Sequence, residues 1–167
     1  KVLRNSGLKL PEHTFYVDNI FACDPCPHVN SMYYLDVNMY HYFIGRDDQS
    51  VNETVMIGRI DQQIRVNRWM TETYVTQNYS HKKIRKYMYR YLEIITTISS
   101  IMLLVSGTEE NLAKKEELWR YLKEADGAFY RRLRFGLFGI MLNLPGRAGR
   151  WLAVSAYRIA QKLYGFN

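Results

Sequence analysis

Long unbroken apolar stretches are missing from this chain, and so are most of the residues that would staple or anchor it. The longest apolar run, residues 94–105, is interrupted by Thr96, Thr97, Ser99 and Ser100. It falls short of the ~20 residues a helix needs to span a bilayer, so no transmembrane segment is expected. Only two cysteines occur among 167 residues, which excludes a disulfide framework and suits a reducing compartment. Cys23-Asp24-Pro25-Cys26 has redox-motif spacing. No βαβ setting surrounds it, though, and no second pair completes a zinc site even with His28 as a third ligand, so free thiols in a proline-rich loop are expected. The opening Lys1-Val2-Leu3-Arg4-Asn5 lacks an initiating Met and a secretory apolar core, and reads as the interior of a longer protein. Internal repeats, low-complexity tracts, zinc-finger spacing, an RNP-type aromatic motif and a helix-turn-helix are also absent, so nucleic acid is not an expected partner.

What is present is a foldable chain with its charge unevenly placed. Apolar residues make up 47% of it, too many for a disordered segment. The net charge of +7 divides at about residue 79: residues 1–79 carry 7 Lys or Arg against 9 Asp or Glu, and residues 80–167 carry 16 against 7. Two parts are therefore expected, 1–79 and a basic 80–167. The second suits an anionic partner such as a membrane surface.

In the first part, Pro11 favours extended geometry before it, and Thr14-Phe15-Tyr16-Val17 is β-branched and aromatic, which predicts a short strand. Asp18, followed by Asn-Ile-Phe-Ala, is the expected N-cap of a helix, so its carboxylate would sit at a strand-to-helix junction of the kind where α/β folds bind ligands. Residues 31–44 alternate: Tyr33, Leu35, Val37 and Met39 share one parity, Tyr34, Asp36, Asn38, Tyr40 and Tyr42 the other. This predicts a half-buried strand, with Tyr34, Tyr40 and Tyr42 open to two readings, as sugar-stacking rings or as ordinary strand aromatics. Asp36 and Asn38 would share a face as a metal requires, but Asn is a weak substitute for a carboxylate and no metal site is expected here. Gly45-Arg46-Asp47-Asp48-Gln49 is a polar turn, and Ser50 with Glu53 makes a capping box that opens an amphipathic helix to about residue 74.

Four more helices are expected in the basic part. Ser80 opens the first, with Lys82, Lys86 and Arg90 at i, i+4, i+8, and Gly107 stops it; Thr108 caps the second. The third covers residues 128–144, ended by Pro145-Gly146, and the fourth runs over 147–164 to Gly165. In the last, Arg147, Arg150, Arg158 and Lys162 fall near one face, and Phe129, Phe135, Phe138 and Trp151 could enter a lipid interface if the apolar sides do not simply bury one another.

The runs Pro11-Glu12-His13-Thr14-Phe15-Tyr16-Val17-Asp18-Asn19, Tyr33-Tyr34-Leu35-Asp36-Val37-Asn38-Met39-Tyr40 and Gly45-Arg46-Asp47-Asp48-Gln49-Ser50-Val51 together resemble the second half of a bacterial family 2 glycosyltransferase. The resemblance covers residues 3–74. It implies that residues 1–79 are the C-terminal remnant of a GT-A domain, so that with the helices expected after residue 79 the chain would be mostly α with a small β part, the remnant followed by a helical bundle. Asp18 stands where the family carries the Asp of a Glu-Asp pair, the general base toward the acceptor hydroxyl, and Val17 stands where many members have Glu. The loop holding Arg46, Gln49 and Ser50 corresponds to one that folds over the nucleotide diphosphate. A guanidinium fork beside a helix N-terminus suits a phosphate oxygen, a salt bridge to a neighbouring Asp being the alternative for Arg46 and a helix cap for Ser50. The family uses a divalent metal, Mg or Mn, on an Asp-x-Asp motif upstream of the resembling region. A nucleotide-sugar donor and a carbohydrate or lipid-linked acceptor are the implied partners, the work is building surface polysaccharide or glycolipid at the cytoplasmic face of the membrane, and this segment alone should not turn over.

Overall fold

A computed structural model of the protein describes residues 1–41, 52–79 and 81–164. They form a mostly helical fold with no strand among the described residues. In chain order the helices are α1 (Val2–Ser6), α2 (Val17–Cys23), a 3₁₀ turn (Cys26–His28), α3 (Glu53–Gly58), α4 (Ile60–Thr76), α5 (Lys82–Ser106), α6 (Glu109–Ala125), α7 (Gly127–Arg134), α8 (Leu137–Leu142) and α9 (Gly146–Tyr164).

α5 organises the rest. α3, α4, α6, α8, α9 and the 3₁₀ turn all pack against it. Its buried residues, from Met88 and Leu92 to Leu103 and Leu104, do not form one stripe; Tyr89, Thr96, Ser99 and Ser100 are buried as well. The polar residues that interrupt the apolar run thus lie inside. Asn67 on α4 donates from Nδ2 to Thr96 Oγ1 and Ser99 Oγ, each at 3.3 Å, and Trp119 Nε1 on α6 donates to Ser100 Oγ at 3.0 Å. A buried amide and three hydroxyls are affordable because each meets a partner.

By length and composition α5 could cross a membrane, although 67% of its most apolar window is buried inside the fold, as in a core helix. This corrects the expectation from residues 94–105 alone, because the helix takes in flanking Leu92 and Met88 as well. Its end is as expected: Gly107 adopts φ 65°, the left-handed geometry that terminates a helix, and Thr108 Oγ1 then accepts from the Asn111 amide.

Packing crosses residue 79. One core joins Ile20, Cys23, Val66 and Met70 to Met88, Leu92, Leu122 and Phe129; the other joins Ile60 and Ile64 to Leu103, Leu118, Leu142 and Ala153. The division at 79 is one of charge, and residues from both sides bury one another.

Several local expectations change. In place of a strand over 14–17, His13 and Tyr16 have φ of 50° and 66°, which an extended strand does not accommodate, and α2 begins at Val17. Residues 31–41 are irregular rather than a strand, and those from 31 to 41 are exposed; no neighbouring strand among the described residues supplies a ladder. The helix expected to about residue 74 is two, since the backbone leaves helical geometry at Arg59 (φ −116°, ψ 21°) just after Gly58. Asn52 caps α3, its Oδ1 accepting from the Thr54 amide at 3.0 Å; Ser50, the expected cap, lies outside the described residues. The helix expected over 128–144 breaks at Phe135–Gly136 into α7 and α8. The two pack so tightly that a Cβ on Gly139 would overlap the Leu133 carbonyl and come within 2.8 Å of the Arg134 oxygen.

Candidate functional site

The carboxylate expected to do chemistry, Asp18, lies in the first turn of α2 and is exposed. Tyr16, not Asp18, occupies the N-cap position, because the left-handed turn at Tyr16 starts the helix two residues earlier. The corner is well fixed. Ile20 and Cys23 bury the inner side of α2 against α4, the Phe15 amide donates to Gln62 Oε1 at 2.6 Å, and the Arg59 guanidinium lies 3.5 Å from the centre of the Phe15 ring. Asn19 ties the same turn to α5: its Nδ2 donates to the Tyr16 carbonyl at 3.0 Å, and its Oδ1 accepts from the Tyr91 hydroxyl at 2.8 Å. Burial, with the Asp18 charge as a second cause, pushes Tyr91 up to about 12, so Tyr91 remains a hydroxyl donor across neutral pH.

The other expected site residues are not gathered round Asp18. Tyr34 is 83% exposed on the irregular segment, and no hydrogen bond, ion pair or ring contact among the described residues joins it to Asp18. Arg46, Gln49 and Ser50 lie outside the described residues, as does Tyr42. Among the described residues no cluster of three His, Cys, Asp or Glu could hold a metal; Asp36 and Asn38 sit on the exposed segment. The resemblance places the ligands of its divalent ion upstream of the resembling region, and no step is assigned to that ion here.

Cys23 and Cys26 are free and buried. Burial, helped by the Asp24 charge, pushes Cys23 well above the usual thiol range, and Cys26 Sγ donates to the Ala22 carbonyl at 3.0 Å. Both pack as core residues, and burial disfavours the thiolate that a nucleophile would need. Rather than a loop, the thiols end a helix and begin a 3₁₀ turn. Between them Asp24 accepts from Trp69 Nε1 at 2.9 Å and from Thr73 Oγ1 at 2.8 Å, clamping α2 to α4. Sequence reasoning missed this role, since a Cys-Asp-Pro-Cys string gives no hint of partners some 45 residues away.

No protein-family model, curated protein or solved structure matches this chain. Its chemistry has to be read from its own residues.

The last helix presents a second surface. α9 buries only Gly149 and Ala153, and Leu144 closes on Gly149 so tightly that a Cβ there would lie 2.6 Å from it. Leu152, Ile159 and Leu163, at i, i+7 and i+11, make an exposed apolar stripe; Trp151 with Arg147 and Lys162 lies to one side. On α8 and just before it Phe135, Leu137, Phe138 and Ile140 are exposed too, Leu137 at 80%. One member of the expected basic face is otherwise engaged: Arg158 forms a two-pronged pair with Glu53 at 2.6 and 2.9 Å, and Tyr157 donates to the same carboxylate.

Proposed function

We propose that this chain is the acceptor-side, C-terminal segment of an inverting glycosyltransferase of the family 2 type, in which Asp18 takes the proton of an acceptor hydroxyl as that oxygen attacks the anomeric carbon of a nucleotide-activated sugar. The observation that carries the reading is a solvent-facing carboxylate on an anchored helix turn, within the run Pro11-Glu12-His13-Thr14-Phe15-Tyr16-Val17-Asp18-Asn19. A general base needs such a position: open to a substrate, yet held within hydrogen-bond reach of the proton it removes. Tyr34 would pack on a sugar ring, and Arg46, Gln49 and Ser50 would meet the donor diphosphate. Residues 31–44 keep their two-fold alternation, and in the GT-A remnant they would join a sheet whose other strands come from the donor half. The donor site and its metal would also belong to that half, so the segment needs it to act. The test is Asp18→Asn in a protein carrying both halves: sugar transfer should be abolished and donor binding retained, and unchanged turnover would refute the base assignment.

A second reading, a helical module that lies on a membrane, is favoured by one observation: the apolar stripe of α9 beside Arg147 and Lys162. A helix that leaves Leu152, Ile159 and Leu163 in water while flanking them with cations matches an anionic bilayer surface in both polarity and charge. Such docking would hold a transferase at the cytoplasmic face, near a lipid-linked acceptor. Sedimentation with anionic vesicles should carry the protein down at low salt and less of it at high salt. Leu152→Ser/Leu163→Ser should remove the effect, and failure to bind at low salt would end this reading.

A further inference from the structure

Between the start of α5 and α7 lies a cleft of about 440 Å³ in which four cations face one another over an aromatic floor. Lys82, Arg85 and Lys86 approach from α5 and Arg132 from α7, above the largely buried rings of Tyr74, Tyr89 and Phe129. The two arginines lie over that floor, the Arg132 guanidinium carbon 4.0 Å from the centre of the Tyr89 ring and that of Arg85 5.8 Å from Tyr74. No ion pair among the described residues engages any of the four cations. One carboxylate lines the cleft, Asp126, and its Oδ1 caps α7, accepting from the Ala128 and Phe129 amides at 2.8 Å each.

This arrangement works against the fold. Three of the cations stand in the first two turns of α5, where the helix dipole disfavours positive charge, and the like charges across the cleft repel. Among the described residues four other bases are paired, Arg68 with Glu117, Arg90 with Glu93, Lys114 with Asp61 and Glu110, and Arg158 with Glu53. Those of the cleft are left open. We propose that the cleft binds a phosphate-bearing anion with at least two negative charges, such as a diphosphate group. Guanidinium forks and ammonium groups from two helices would converge on its oxygens, and the aromatic floor would take the less polar part to which the phosphate is attached. The cleft shares no residue with Asp18 or with the exposed stripe of α9, and the inference does not depend on sugar transfer.

Titration calorimetry with inorganic pyrophosphate, at constant ionic strength against sodium sulfate, tests it. One-to-one binding of pyrophosphate, with sulfate at least tenfold weaker, is the expected result. Lys86→Gln/Arg132→Gln, two exposed positions whose loss leaves the core intact, should weaken binding at least tenfold with unchanged circular dichroism, while Lys162→Gln on α9 should leave it unaltered. A parallel arm uses neutral vesicles with and without phosphatidic acid. Capture that needs phosphatidic acid and is lost in Lys86→Gln/Arg132→Gln, but not in Leu152→Ser/Leu163→Ser, assigns the phosphate to a lipid headgroup; pyrophosphate binding without such capture assigns it to a soluble ligand. The inference is overturned if the protein ignores both probes, fails to distinguish pyrophosphate from sulfate while ignoring phosphatidic acid, or retains its binding in the double variant.

Discussion

α5 and α9 are both long amphipathic helices, of 25 and 19 residues, and the fold treats them in opposite ways. α5 is enclosed by its neighbours and buries eleven residues, polar ones included; α9 fully buries one glycine and one alanine, packs Val154 and Tyr157 in part against the second core, and leaves Trp151, Leu152, Ile159 and Leu163 exposed. The difference is not one of amphipathic patterning, which both possess. α5 carries Thr96, Ser99 and Ser100 where α4 and α6 supply matching donors, so its polar interruptions become contacts between helices. α9 touches the body along one face only, through Gly149, Ala153, Val154 and Tyr157, so Trp151, Leu152, Ile159 and Leu163 on its other faces remain available to something else.

Four substitutions sharpen or break that contrast, from the largest effect to the smallest. Leu103→Ala, at a fully buried α5 position, should cost about 2–5 kcal/mol through lost burial and the cavity left behind, read as a fall in the urea midpoint. Asn67→Ala should cost about 1–3 kcal/mol, because the Thr96 and Ser99 hydroxyls lose their buried partner. If the seam serves only to satisfy its own members, Asn67→Leu with Thr96→Val and Ser99→Ala should recover most of that loss.

The third concerns Lys115 on α6, which packs into the second core's edge with its Nζ 2.7 Å from Asn143 Oδ1. Burial, reinforced by the Arg134 charge, lowers this lysine from 10.5 to about 8. Between those two pH values the unfolded chain binds the proton that the folded chain has released, so stability should rise as pH climbs from about 8 to 10.5. Lys115→Met should flatten that rise and be neutral to stabilising by about 1–2 kcal/mol at pH 7, since it removes a charge held out of water at the expense of one hydrogen bond. A wild-type stability that falls over this interval would contradict the assignment, as would an unchanged slope in the variant. The smallest effect belongs to α9: Leu163→Ser, at a position 74% exposed, should move thermal stability by less than about 0.5 kcal/mol. A large loss there would mean that the stripe is covered after all, and would remove the contrast with α5.

Much of the helical order could be read directly from the residues. Gly107 and Thr108 mark the passage from α5 to α6 because left-handed geometry and a hydroxyl cap are local properties of those two side chains, and the start of α9 follows from Pro145-Gly146 for the same reason. The errors came where a local preference met a distant partner. Thr14-Phe15-Tyr16-Val17 is strand-like in composition, yet Gln62, Arg59 and Arg65 hold the segment in a turned form. Asp18 was legible as a carboxylate at a corner; its coupling through Asn19 to Tyr91 was not, because nothing in either residue's neighbourhood in the sequence points to the other.

By itself, then, the sequence determined the helical character of the chain, the ends of its longest helices and the concentration of positive charge after residue 79, since each follows from backbone preference or simple composition. Only the tertiary structure decided which amphipathic faces find partners, that Thr96 and Ser99 are interior, that Cys23 and Cys26 are core residues, and that four cations from separate helices share one cleft. These depend on side chains far apart in sequence being brought within a few ångströms, and burial and Coulomb interactions act on spatial distance, not on position along the chain.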